Sequence, residues 1–147
     1  MPPSKRWTDE RGSASLEFVT VGMLLLVPLV YLVVAVSTIQ AGAFAVEGAA
    51  RQAARVFVQA PDAGSAEAGA QRALEFALAD HGITAPASIA VSCTNSPCLT
   101  RRAFVTVSVK LTVPLPLVPP VIVGDFPLAV PLRATATEQV SRFWGSR

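Results

Sequence analysis

The sequence predicts an α+β protein: a long apolar N-terminal helix that continues into a small domain with a second helix and a three-stranded antiparallel sheet. Three observations predict it. Residues 18–46 contain no charged side chain. Further on, Ala70, Ala73, Leu74, Ala77 and Leu78 recur with the spacing of one helix face. Then the period changes to two: Ala103, Val105, Val107, Val109, Leu111 and Val113 alternate with Phe104, Thr106, Ser108, Lys110 and Thr112, as a half-buried strand requires.

The apolar segment is densest at residues 18–39 (FVTVGMLLLVPLVYLVVAVSTI). A helix needs about 20 such residues to cross a bilayer, so the segment suffices. Gly22 and Pro28 interrupt it, and membrane helices tolerate both. Pro28 lacks an N–H and crowds the preceding turn, so a kink is expected there. Lys5, Arg6 and Arg11 precede the segment, partly offset by Asp9 and Glu10, whereas the nearest basic residues beyond it are Arg51 and Arg55. That asymmetry keeps the N-terminus in the cytoplasm and exports the C-terminal part, giving a single-pass cell-membrane protein. Composition agrees. Charged residues make up 15% of the chain and hydrophobic ones 52%, against about 25% charged in soluble domains. The net charge of +2 comes from scattered basic residues, which excludes a nucleic-acid surface. Hydrophobicity this high also excludes intrinsic disorder.

Two fates for the leader compete. A conventional signal peptide would be cut after its apolar core, and Ala41-Gly42-Ala43 offers small residues for that. Against it, the apolar run is too long and Glu17 lies within its start. The other fate is a cut before the apolar segment, which then stays as a helix. Arg11-Gly12-Ser13-Ala14-Ser15-Leu16-Glu17-Phe18 stands at that junction. It resembles the G-x-x-x-x-E-F processing site of prepilins. The resemblance implies cleavage between Gly12 and Ser13 by a membrane prepilin peptidase, with Glu17 as fifth residue of the mature chain. A glycine suits a protease cleft because it adopts backbone conformations closed to other residues. A carboxylate at the edge of hydrocarbon is costly and needs a partner. The new α-amino group at Ser13, in the same chain or a neighbour, would supply one, and in a fibre the pair would set the axial register. The plain alternative is that Glu17 reaches the membrane interface beside Arg11.

Beyond the motif, the order of parts resembles TadE-like proteins of tight-adherence pili: a leader ending in this site, one apolar helix, a small-residue continuation and a short α/β region. Only residues 11–18 match a motif; the rest of the likeness is architectural. It implies a minor pilin or pseudopilin, because the chain is longer than a major subunit. It also implies other pilin subunits and the pilus assembly platform as partners, with possible incorporation into a surface pilus. The expected organisation is a leader at residues 1–12, a membrane and extended helix at 13–59, and an exported domain at 60–147.

Residues 40–59 are rich in helix formers, so the helix is expected to continue past the membrane. Ala41, Ala45, Ala49 and Ala53 recur every four residues, a small-residue stripe open to close helix packing. It fits a neighbouring subunit and the chain's own domain equally. Glu47, Arg51 and Arg55 support an adjacent face. Residues 61–65 read as a turn, with Ser65 as cap of the second helix and Glu67 in its first turn. Gly82 suits the C-terminal cap, and His81 sits in the last turn as a helix-end residue.

Cys93 and Cys98 are too few for a zinc site without further ligands. In an exported segment a disulfide closing a tight loop is the natural reading; two free, partly buried thiols are the alternative. That loop lies between strands expected at residues 88–93 and 102–113, so it would pin the tip of a hairpin. Residues 114–124 interleave four prolines with apolar residues, which rules out a regular central strand. They wrap the sheet, or touch membrane or partner. Residues 128–137 form an edge strand around Pro131, and Phe143 and Trp144 either dock on the domain or lie loose.

The chain has no G-x-S-x-G, H-E-x-x-H, P-loop or dinucleotide fingerprint. One histidine and few acids leave little acid–base chemistry, and Asp62, Asp80 and Asp125 sit at turns or helix ends. The expectation is therefore no enzyme, no cofactor, no metal and no small-molecule substrate. Three functions remain: a pilin-like subunit, a permanently anchored accessory of the same machine, or a secreted binding domain with a conventional signal peptide.

Overall fold

The computed structural model describes residues 13–117 and 128–145. The leader with Gly12, and most of the proline-rich segment, lie outside the described residues. The fold is α+β: α1 (Ser13–Gln59), α2 (Ala63–Asp80), β1 (Ala87–Cys93), β2 (Phe104–Pro114) and β3 (Ala129–Gln139). The three strands form one antiparallel sheet in the order β1-β2-β3.

The chain divides into two compact units between Val36 and Ser37, inside α1. The second half of α1 supplies one wall of the core of the second unit. The first unit is α1 up to Val36. It runs unbroken through Pro28 and bares almost every apolar side chain it carries. Thr20 returns its hydroxyl to the Leu16 carbonyl at 2.7 Å, so even this polar group is satisfied within the helix.

The second unit is built on side-chain size. Ala45, Val46, Ala49, Ala50, Ala53, Ala54 and Phe57 are buried on one side of α1. They join Val105, Val107, Val109 and Leu111 of β2 and Ala66, Ala70 and Leu74 of α2 in one core. Each such valine contributes on the order of 1.5–3 kcal/mol on leaving water. Two glycines set how closely the elements approach. A Cβ on Gly42 would stand 2.7 Å from Val113 Cγ2 and 2.8 Å from Leu132 Cδ1; one on Gly69 would stand 2.6 Å from Val56 Cγ1. Gly42 thus seats α1 on the sheet and Gly69 seats α2 on α1.

α2 starts two residues before Ser65. Its N-cap is Asp62, which accepts hydrogen bonds from the Ser65 N–H and hydroxyl, both at 2.8 Å. Ser65 is a donor to the cap and not the cap itself, because the carboxylate is the stronger acceptor for the free N–H groups of a helix start. At the other end the Gly82 N–H bonds the Ala79 carbonyl and the Ile83 N–H bonds Leu78, with Gly82 at φ +64°. That paired closure needs a left-handed residue, as the glycine supplies.

The sheet turns Val105, Val107, Val109, Leu111 and Val113 inward, as the alternation predicts. On its outer face hydroxyls pair across strands: Thr106 with Thr137 at 2.9 Å and Ser108 with Thr135 at 3.3 Å.

Candidate functional site

The residues singled out by sequence fall into two groups, one in each unit. Gly12 lies outside the described residues. Ser13 is the first residue of α1, and Glu17 and Phe18 follow on an exposed part of the helix. The only ion pair among the described residues is Arg51 to Glu47 at 2.7 Å, so no described cation sits against Glu17. Cleavage and register therefore remain properties read from the motif.

In the second unit the alanine stripe has a definite neighbour. Ala45, Ala49 and Ala53 are buried in the chain's own core, while Ala41 is half-buried. Of the two surfaces that fitted the stripe, the chain's own sheet and α2 take it up. The Glu47–Arg51 pair lies on the solvent side, as the four-residue spacing predicts.

Cys93 and Cys98 are bonded, with Cα atoms 5.3 Å apart. The bond closes the tip between β1 and β2, where Thr94 N–H and Phe104 carbonyl make the last backbone link at 3.0 Å. No cysteine is free. Beside this tip lies a contact that sequence left open. The Trp144 indole N–H donates to the Ala60 carbonyl at 3.0 Å, and Arg101 Nε donates to the Trp144 carbonyl at 2.9 Å. Val140 bonds Ala103 and Arg102 through the backbone on the same side. The C-terminal segment thus clasps the α1–α2 connection. The available signal was a single buried-type aromatic with a donor to satisfy; the acceptor, a carbonyl freed where α1 ends, is visible only in the fold. Phe143 beside it is exposed, with the Arg142 guanidinium 4.6 Å from its ring centre.

An open groove between α1 and α2 is lined by Phe44, Gln52, Arg72, Phe76, Asp80 and His81, among others. Its floor is made of small residues, Gly48, Gly69 and Ala73. His81 is here the C-cap of α2, the structural place its sequence position predicts. Among the described residues no cluster of His, Cys, Asp or Glu has metal-binding geometry. The Ser65 N–H, and then its hydroxyl, hold the Asp62 carboxyl below the ordinary carboxylate range. That shift belongs to a helix cap.

No family model matches the chain, and neither curated proteins nor solved structures provide a match.

Proposed function

We propose that this chain is a TadE-like minor pilin or pseudopilin: a membrane-anchored structural subunit of a tight-adherence type pilus, matured by prepilin peptidase after Gly12. It acts by assembly and not by catalysis. Its partners are the peptidase, other pilin subunits and the assembly platform. Its N-terminus lies in the cytoplasm and its small domain outside.

The observation that carries the reading is the division of α1. One 47-residue helix begins as an apolar rod with its side chains bare and ends as the wall of a folded core. The first part is long and apolar enough to cross a membrane, and the prepilin-like motif of residues 11–18 adjoins it. A disulfide in the second unit suits an oxidising compartment outside the cytoplasm. The secreted-domain alternative is weakened by Gly42, which packs against β2 and β3. A cut near Ala43 would remove that seat.

The test is the N-terminus and intact mass of protein recovered from membranes and from sheared surface material. A start at Ser13 with the apolar helix retained is expected, and presence in the sheared fraction would separate a fibre subunit from a fixed accessory. A start near Phe44 would sink the reading. Glu17→Ala is expected to leave leader removal largely intact and to impair assembly, because the proposed partner of Glu17 arises only on cleavage. Normal piliation in that variant would remove the register role.

A further inference from the structure

The end of the second unit at which the chain enters it differs from the opposite end. The Trp144–Ala60 and Val140–Ala103 bonds place the start of β2 beside the end of α1. Gly42 against Val113 and Leu132 places the end of β2 beside the entry of α1. From Gly42 to Ala60 a helix rises about 27 Å, and from Ala103 to Val113 a strand rises about 33 Å. β2 therefore runs the length of this part of α1 and passes Gly42. The ladder continues one step further, where the Leu115 N–H bonds the Leu128 carbonyl at 3.0 Å.

The described residues beside that step are apolar and exposed. Leu117 is 79% exposed and Leu128 50%. Leu117 also holds φ +61°, which a leucine rarely adopts. On the other side of α1, Phe44 is 65% exposed, five residues beyond the dense apolar run. The ten residues that join Leu117 to Leu128 carry a single charge, Asp125. A hairpin mouth facing water would ordinarily be polar.

A second observation stands a short way up the outer sheet face. Lys110 and Arg133 are register partners, so two cations lie directly opposite each other. Like charges so placed repel. Among the described residues neither lies within ion-pair distance of a carboxylate. From Lys110 to Pro114 the strand covers about 13 Å. An apolar rim entering the headgroup–acyl boundary by about 5–10 Å would bring those cations to the phosphate layer, within reach of their long side chains.

We propose that this end of the second unit seats on the surface of the bilayer that α1 crosses. Phe44, Leu117 and Leu128 enter the headgroup–acyl boundary, and Lys110 and Arg133 meet anionic lipid phosphates. The proposal rests on the reading of residues 18–39 as a membrane span.

The full chain in lipid nanodiscs tests both separately. The native cysteines are bonded to each other, so one added cysteine can carry an environment-sensitive fluorophore. It is placed in turn by Leu25→Cys, Phe44→Cys, Leu128→Cys and Phe143→Cys, and quenched by lipids spin-labelled at shallow or deep positions. Expected are deep quenching at Leu25, shallow quenching at Phe44 and Leu128 several-fold above that at Phe143, and a marked loss at Leu128 when Lys110→Glu and Arg133→Glu are combined in anionic discs. Quenching at Leu25 with Phe44 and Leu128 no different from Phe143 would overturn the seating and leave the span standing. No quenching at Leu25 would overturn the span and the seating together. Indifference to the paired charge reversal would overturn the role of the two cations.

Discussion

The two halves of α1 are both apolar but differ in exposure. Before Val36 the side chains are large, Leu, Val, Met and Phe, and stand exposed around the helix. After Ser37 they are mostly alanine and glycine, and one side is buried. Size separates the two roles more clearly than hydrophobicity does. A helix that meets fluid lipid needs bulk on all sides and no fitted partner, whereas a helix laid against a sheet needs small residues where the backbones approach.

The largest expected effect that sharpens this contrast is Leu111→Ala. Its side chain is 2% exposed in the core, so the unfolding free energy of the second unit should fall by about 2–5 kcal/mol. Leu25→Ala, at a position 69% exposed, should leave that transition unmoved. Denaturant titration in detergent, followed by the near-ultraviolet signal of Trp144, reads both. Equal effects would erase the distinction between the halves.

Next is Gly42→Leu against Gly22→Leu. The first forces a side chain into Val113 and Leu132 and should cost about 1–3 kcal/mol. At Gly22 nothing lies within 4 Å of an added Cβ, and no cost to the second unit is expected. The same titration distinguishes them.

Replacing Cys93 and Cys98 by serine opens a loop of sequence separation 5, for which chain entropy gives about 2 kcal/mol. The loss should appear in the second unit alone. A stability unchanged by reductant would show that the bond adds nothing to that unit.

The smallest effect concerns acid. The folded carboxyl of Asp62 titrates below its ordinary value of 3.8. Its stabilisation is therefore present above that value and lost as the pH falls below it, through the lower folded value. Asp62→Asn should flatten the acid limb of the stability profile slightly. A steeper limb in the variant would contradict the capping role.

Much of this fold is legible in the sequence because it follows from periodicity. β2 alternates over its whole length, and α2 carries a five-member apolar face. Gly82 marks its end, and residues 18–39 form part of a helix long and apolar enough to cross a membrane. The less legible features depend on what lies opposite. The stripe at Ala41, Ala45, Ala49 and Ala53 fits any close neighbour, and spacing cannot say that the neighbour is the chain's own sheet. The unit boundary is hidden because both halves of α1 are apolar and helical. Asp62 and Ser65 are both good caps, and the choice turns on a three-residue difference in where the helix starts. Of the candidate site, the Cys93–Cys98 spacing allows a disulfide but leaves free thiols open, and the bond is seen in the fold, while Glu17 rests on its motif, since its proposed partner belongs to a processed or assembled state.

The clasp at Ala60 has a consequence for the order of events during synthesis. The second half of α1 is made before α2 and the strands that cover its apolar side. The bonds that close the unit, from Val140 to Ala103 and from Trp144 to Ala60, come from residues made after the helix end they secure. Until α2 and those strands are in place, the alanine-lined side of the helix has no cover from its own chain.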